Sequence, residues 1–226
     1  MRFTRCEQLV GAEALGKLKN SSVAVIGIGG VGGFAAEALA RSGVGRLALV
    51  DKDVVEESNI NRQIVALGST VGRPKVEVMK QRILDINPEA SVESFCRFYL
   101  PDNADFINLA DYDYVLDAVD NVTAKIELIK RCRSGNIRII SAMGAGNKLD
   151  PSKLEIADIS RTNYCPLAKT VRKKLSELGI KDVKVAYSSE PPRSLSSART
   201  PASMMPVPAS MGLLIAAEVI KDLIGG

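Results

Sequence analysis

No histidine occurs anywhere in the 226 residues. That absence excludes Ser-His-Asp and Cys-His nucleophilic machinery, HExxH zinc sites and every other histidine-dependent metal site. Chemistry in this chain must rest on carboxylates, lysine, arginine, cysteine or a bound metal. Cysteine is scarce too: Cys6, Cys96, Cys132 and Cys165 stand far apart and form no C-x-x-C. This is neither a disulfide framework nor a zinc cluster, and it fits a reducing compartment. Long apolar runs are also missing. The most apolar late stretch, 211–224, is interrupted by Glu218, Lys221 and Asp222 and is too short to span a bilayer. Met1 to Glu7 carries two arginines with no apolar region behind them, so no secretory leader is expected. These absences predict a cytoplasmic protein that does not engage a membrane.

What is present is ordinary globular composition, 46% hydrophobic and 25% charged, enough to bury a real core in one domain. The chain is organised around residues 23–33, Val-Ala-Val-Ile-Gly-Ile-Gly-Gly-Val-Gly-Gly. The β-branched start reads as a buried parallel strand and Phe34 to Arg41 as a helix. Between them lies G-x-G-x-x-G at Gly27, Gly29 and Gly32, with Gly30 and Gly33 besides. Such a turn lets backbone approach a phosphate at a helix N-terminus, where free N–H groups and the helix dipole favour an anion. Arg46 to Asp51 reads as the next strand. Asp51, 19 positions past Gly32, stands where a ribose-binding acid is expected, a spacing that suits NAD as well as ATP.

The rest of the first two thirds alternates. Helices are expected at 8–18, from Pro74 to about Ile86, at 101–109 and at 123–132, and strands at 92–98, 114–119 and 137–142. This predicts an α/β fold, a Rossmann-like doubly wound, mainly parallel sheet, with Gly27 to Gly32, Asp51 and Asp120 gathered at strand carboxyl ends. The expected divisions are an N-terminal arm and helix (1–20), a nucleotide-binding core (21–147), a basic segment with a mobile loop (148–208) and a closing helix (209–226). Between Lys148 and Arg199 eleven Lys and Arg face six Asp and Glu. That segment alone is therefore +5 in a chain of net +4. Within it, 166–178 reads as an amphipathic helix with Leu167, Val171, Leu175 and Leu178 inward and Lys169, Arg172, Lys173 and Lys174 largely outward, ended by Gly179. The outward face is either merely solvated or a footprint for a phosphate backbone.

Four motifs in order, the glycine turn, Asn59-x-x-Arg62-Gln63, Gly72-x-Pro74-Lys75 and Asp117-Ala-Val-Asp120-Asn121, resemble the ThiF/MoeB/ubiquitin-activating superfamily of ATP-dependent adenylating enzymes. An NAD dehydrogenase has no use for this Asn/Arg/Lys set. Arg2-Phe-Thr-Arg5, Ser58 to Gln63, Ser141 to Gly146, Leu149-Asp-Pro151, Ile156 to Ile159 and Cys165 to Ala168 are most similar to the tRNA threonylcarbamoyladenosine dehydratase branch. The paired C-x-x-C of other branches is absent, as is the thioester cysteine of the ubiquitin-activating enzymes.

The resemblance implies that a substrate carboxylate attacks the α-phosphorus of ATP, with Mg²⁺ as the metal. Asp51 would hold the ribose, and Gly27, Gly29, Gly30 and Gly32 would form the phosphate turn. Asn59, Arg62, Gln63 and Lys75 would contact the triphosphate. Asp120, beside Asn121, would bind Mg²⁺, and Arg5 would reach across a homodimer. The implied substrate is tRNA carrying threonylcarbamoyladenosine, gripped by the basic segment. Two other readings are adenylation of a ubiquitin-like sulfur carrier, and a non-catalytic adaptor in a sulfur-transfer system with a cysteine desulfurase and its acceptor. Cys165 reads as structural, since the cyclisation needs no thiol.

Overall fold

The computed structural model describes residues 2–193 and 201–225. Strand β1 (Ser22–Ile26) lies in the middle of a seven-stranded sheet with β2 (Arg46–Val50) on one side and β4 (Tyr114–Asp117) on the other. With β3 (Ser91–Phe95), β5 (Ile139–Ala142), β6 (Leu154–Asp158) and β7 (Lys184–Ser188), the order is β3-β2-β1-β4-β5-β7-β6. Every neighbouring pair is parallel except β6 with β7. Strand order reverses between β1 and β4, which opens a crevice at their carboxyl ends.

Period-two alternation divides the strand side chains between two cores. Val23 and Val25 of β1, with Leu47 and Leu49 of β2, face one cluster, while Ala24, Ile26, Ala48 and Val50 face the other. Helices α3 (Gly32–Arg41), α4 (Lys75–Ile86) and α7 (Pro206–Ile224) cover the first face. Helices α5 (Val122–Ser134) and α6 (Pro166–Glu177) cover the second. This is the layered architecture that the alternating pattern predicts.

Several expected elements are shorter or divided. The helix expected at 8–18 is two, α1 (Thr4–Val10) and α2 (Ala12–Asn20), because Gly11 adopts φ +84 between them. The helix expected at 101–109 is two single 3₁₀ turns, at Ala104–Phe106 and Leu109–Asp111. Strand β3 ends at Phe95 and β4 at Asp117. Leu178, expected inward, is exposed: it follows the last turn of α6, where Gly179 turns the chain at φ +69. The basic segment contains two strands that its charge had obscured, β6 and β7. Val183, Val185 and Tyr187 are buried, with the charged Lys184 between the first two. Of the loop expected at 190–208, residues 194–200 lie outside the described residues, and 206–208 already belong to α7.

On α3, Glu37 is buried between Arg41 (Nε to Oε1, 2.7 Å) and Arg82, whose Nε also donates to it. Burial alone would raise the Glu37 carboxyl, but the hydrogen bonds from Arg82 and Arg41 hold it below its ordinary value of 4.5. A depressed folded value contributes stability above pH 4.5 that is lost as pH falls through it. Glu37→Gln is therefore expected to lower Tm at pH 7. Its gap to the parent should close as melting is repeated from pH 4.5 downward; a constant gap across that range would refute the linkage.

Candidate active site

The G-x-G-x-x-G turn leaves β1 and enters α3 as its composition requires. Gly27 has φ +96, and a Cβ on Gly32 would sit 1.8 Å from the Gly27 carbonyl oxygen, so neither position admits a side chain. Gly27, Gly29 and Gly30 face a cleft of about 810 Å³ whose walls also include Asp51, Asn59, Arg62, Gln63, Lys75, Asp120 and Asn121. Ten of the twelve residues singled out in the sequence thus share one cavity. Gly32 stands behind the turn rather than in it. Arg5 is on α1, which is held against the far ends of α3 and α4 by Cys6 Sγ to the Arg41 carbonyl (3.7 Å) and by Arg2 Nη1 to the Asp85 carbonyl (3.1 Å). It does not line the cleft of its own chain.

The carboxylate of Asp51 is locked in place. Oδ2 accepts from the Ile28 N–H (2.7 Å) and Oδ1 from the Asp53 N–H (2.9 Å), tying the end of β2 to the glycine turn and leaving lone pairs for hydroxyl donors. Lys75 is the first residue of α4, with Pro74 before it as the cap. Its side chain is only 6% exposed and donates to Asp53 Oδ2 at 3.1 Å. Arg62 Nη1 donates to the Ser58 carbonyl and to Asn61 Oδ1, both at 2.8 Å, which fixes the guanidinium on the wall. Gln63 is buried and its Oε1 has no partner, a cost the fold carries at the cleft. Two amides work for the backbone. Asn59 accepts from the Glu56 N–H (3.3 Å) in its own turn, and Asn121 caps α5 by accepting from the Ala124 N–H (3.0 Å).

Asp120 is exposed at the exit of β4, and its carboxylate has no hydrogen bond or ion pair among the described residues. No group of three metal-ligating side chains occurs among those residues either. A single carboxylate beside a phosphate-sized cleft fits Mg²⁺, which keeps most of its waters and takes the rest of its ligands from phosphate oxygens. It does not fit a cation that needs a protein-built cage.

Sequence reasoning missed three parts of this region. Lys52 lies 4.6 Å over the Phe98 ring, and Arg97 adds a further cation to the wall. Their signal was only position after β2 and β3. Beneath the β4 exit, Lys125 Nζ donates to Asp117 Oδ2 (2.8 Å), Ser141 Oγ (3.1 Å) and the Ala142 carbonyl (2.9 Å), while Ser141 Oγ donates to Asp117 Oδ2 (2.6 Å). Asp117 Oδ1 accepts from the Val119 N–H (3.1 Å), one residue before Asp120. A Lys eight residues after a strand-end Asp is a signal that could have been read.

The thiols do not join the site. Burial, and secondarily the nearby Asp117 charge, pushes Cys132 up to about 12. Cys165 is buried, and its sulfur accepts from the Ala168 N–H (3.5 Å) as the cap of α6.

A doubly wound sheet whose switch-point cleft combines a glycine turn, a strand-end acid, four cations and an unpaired carboxylate has the form of a nucleotide-binding site. The chain belongs to the ThiF family, whose pattern it matches over residues 4–226. It is 48% identical to the tRNA threonylcarbamoyladenosine dehydratase of Bacillus subtilis, over 99% of this chain and 94% of that one. It is 43% identical to the protein of that name from Escherichia coli, over 79% of this chain and 67% of the other. A structure of that E. coli enzyme with AMP superposes with a TM-score of 0.94 at 36% identity, covering 99% and 94% of the two chains. A structure with ATP gives 0.91 over the same coverage.

Proposed function

We propose that this chain is an ATP-dependent dehydratase acting on threonylcarbamoyladenosine in tRNA, and that residues 1–226 work as one adenylating unit in the cytoplasm. The observation that carries the reading is full-length similarity to dehydratases, joined to the cleft just described. The threonyl carboxylate attacks the α-phosphorus of ATP, the bond to pyrophosphate breaks, and an acyl-adenylate forms. The carboxylate is the nucleophile, so no general base is needed, which suits a chain without histidine. The neighbouring carbamoyl group then attacks the acyl carbon, and AMP leaves with the carboxylate oxygen. The net change in the nucleoside is loss of water.

In this reading Asp51 accepts from the ribose hydroxyls, and Gly29 and Gly30 bring backbone N–H groups to the phosphates, with Gly27 and Gly32 closing the turn that carries them. Arg62 and Lys75 neutralise charge that accumulates as the α-phosphorus is attacked. Asn59 and Gln63 line the triphosphate, Gln63 offering its amide N–H groups to phosphate oxygens. Asp120, with Asn121 fixing its loop, holds Mg²⁺. The ion supplies charge neutralisation on the phosphates. Arg5 completes the cleft of the second subunit in a homodimer, consistent with its distance from its own.

The test is pyrophosphate release from ATP with modified tRNA, unmodified tRNA and a ubiquitin-like carrier in parallel, with mass spectrometry of the nucleoside. Release with the modified tRNA alone, and a product lighter by one water, is the expected outcome. Release with the carrier alone would move the chain to sulfur-carrier activation.

A further inference from the structure

Four non-glycine residues among those described hold left-handed backbone: Asn136, Asn147, Asp182 and Tyr164. Asparagine and aspartate tolerate this region because their short polar side chains bond locally; a bulky aromatic there is an outlier. Strain of this kind persists only where the surroundings over-determine it, and such positions cluster at functional sites.

The surroundings of Tyr164 do over-determine it. Its φ is +49, and its carbonyl accepts from the buried Lys148 ammonium at 3.5 Å. The same ammonium donates to the carbonyls of Ser188 (3.3 Å) and Glu190, so one cation ties together the segments after β5, after β7 and before α6. The next residue, Cys165, is buried and caps α6, followed by Pro166 at the first helical position. The ring takes no part in any of this. Tyr164 is 63% exposed. The backbone is held in a costly conformation to present a side chain the fold does not use.

The segment that carries the ring packs at the carboxyl edge of the sheet, the edge on which the cleft opens. Cys165 Sγ lies 3.4 Å from where a Cβ on Gly144 would be, and Gly144 is two residues past the end of β5. Strand β5 pairs with β4, whose exit carries Asp120. Close to Tyr164 in sequence Arg161 and Lys169, with Lys173 farther along α6, are exposed, and such cations attract a phosphate backbone without regard to sequence. Among basic residues expected to form that attraction, Lys148, Arg172 and Lys184 are instead spent inside the fold, Arg172 on the Thr162 carbonyl and Lys184 on Glu218 and Asp222. Fewer cations are therefore free for that attraction than the charge count implied.

We infer that Tyr164 is the stacking platform for an unpaired nucleobase in the RNA loop that delivers the modified adenosine to the cleft. The inference rests on the tRNA reading above. Proteins that read RNA loops splay the bases and stack them on aromatic rings, and losing one such contact weakens binding about 5- to 150-fold.

Glycine is the decisive substitution, because it accepts the left-handed backbone and removes only the ring. Tyr164→Gly is expected to melt no lower than the parent and to bind ATP equally well, while its Kd for the modified tRNA rises at least about fivefold. Tyr164→Phe and Tyr164→Trp are expected to stay within about twofold of the parent, since stacking needs only a π-face. If the parent dehydrates the modified tRNA and Tyr164→Gly binds it as tightly, the platform is wrong and the function stands. If the parent binds no tRNA, the functional reading fails and the platform falls with it.

Discussion

Arg62→Ala is expected to cut pyrophosphate release by about 10²- to 10³-fold, the loss typical when one preorganised charge partner of a developing anion is removed. The guanidinium is already anchored by the Ser58 carbonyl and Asn61 Oδ1, so no ordering is needed at the moment of attack. Phosphate charge is most crowded in the transition state, and the loss should therefore fall mainly on kcat, with KM for ATP changing less. Arg62→Lys should recover only part of the rate, because a lysine has one nitrogen and cannot keep both anchors on it while turning a second toward the cleft, as the guanidinium does. Retention of more than a tenth of the parent rate by the alanine variant would mean that the chemistry happens elsewhere.

The second large effect concerns stability. Lys125 and Asp117 are both 0% exposed, and removing the lysine leaves a carboxylate buried without its charge partner. Lys125→Met is expected to cost about 3–5 kcal/mol, which in a chain of this size lowers Tm by roughly 6–20 °C. Asp117→Asn combined with Lys125→Met removes both charges, and the asparagine oxygen can still accept from the Val119 N–H. The double variant should recover most of the loss, since a buried ion pair replaced by neutral groups is often near-neutral overall. Thermal melts of the parent, single and double variants decide this. A single variant no less stable than the double would show that the pair is not electrostatically coupled.

The core of the fold was legible because its signals are local. The glycine turn, the β-branched strands and the acid after β2 each depend on residues adjacent in sequence, and the sheet arranges them as expected. The cleft was legible because strand exits converge at the switch point whatever the loops do. Strands β6 and β7 were hidden because Glu155 and Lys184 occupy partly solvated positions, and a charge count does not distinguish a strand face from a tail. Lys148, Arg172 and Lys184 look like surface cations in sequence and are bound internally, since only the fold reveals which carbonyls and carboxylates converge on them. The strain at Tyr164 was invisible for the same reason: nothing in the neighbouring residues dictates a positive φ.

The walls of the cleft come from widely separated stretches of chain: the turn after β1, the loops after β2, β3 and β4, the start of α4, and Ser203 with Pro208 near the start of α7. A nucleotide seated there would touch all of these stretches at once and act as a noncovalent cross-link. By mass action, a ligand at 100 times its Kd adds about 2.7 kcal/mol to the stability of the whole chain. Unfolding any one of these stretches releases the ligand, so nucleotide supply and the survival of the fold are a single coupled equilibrium.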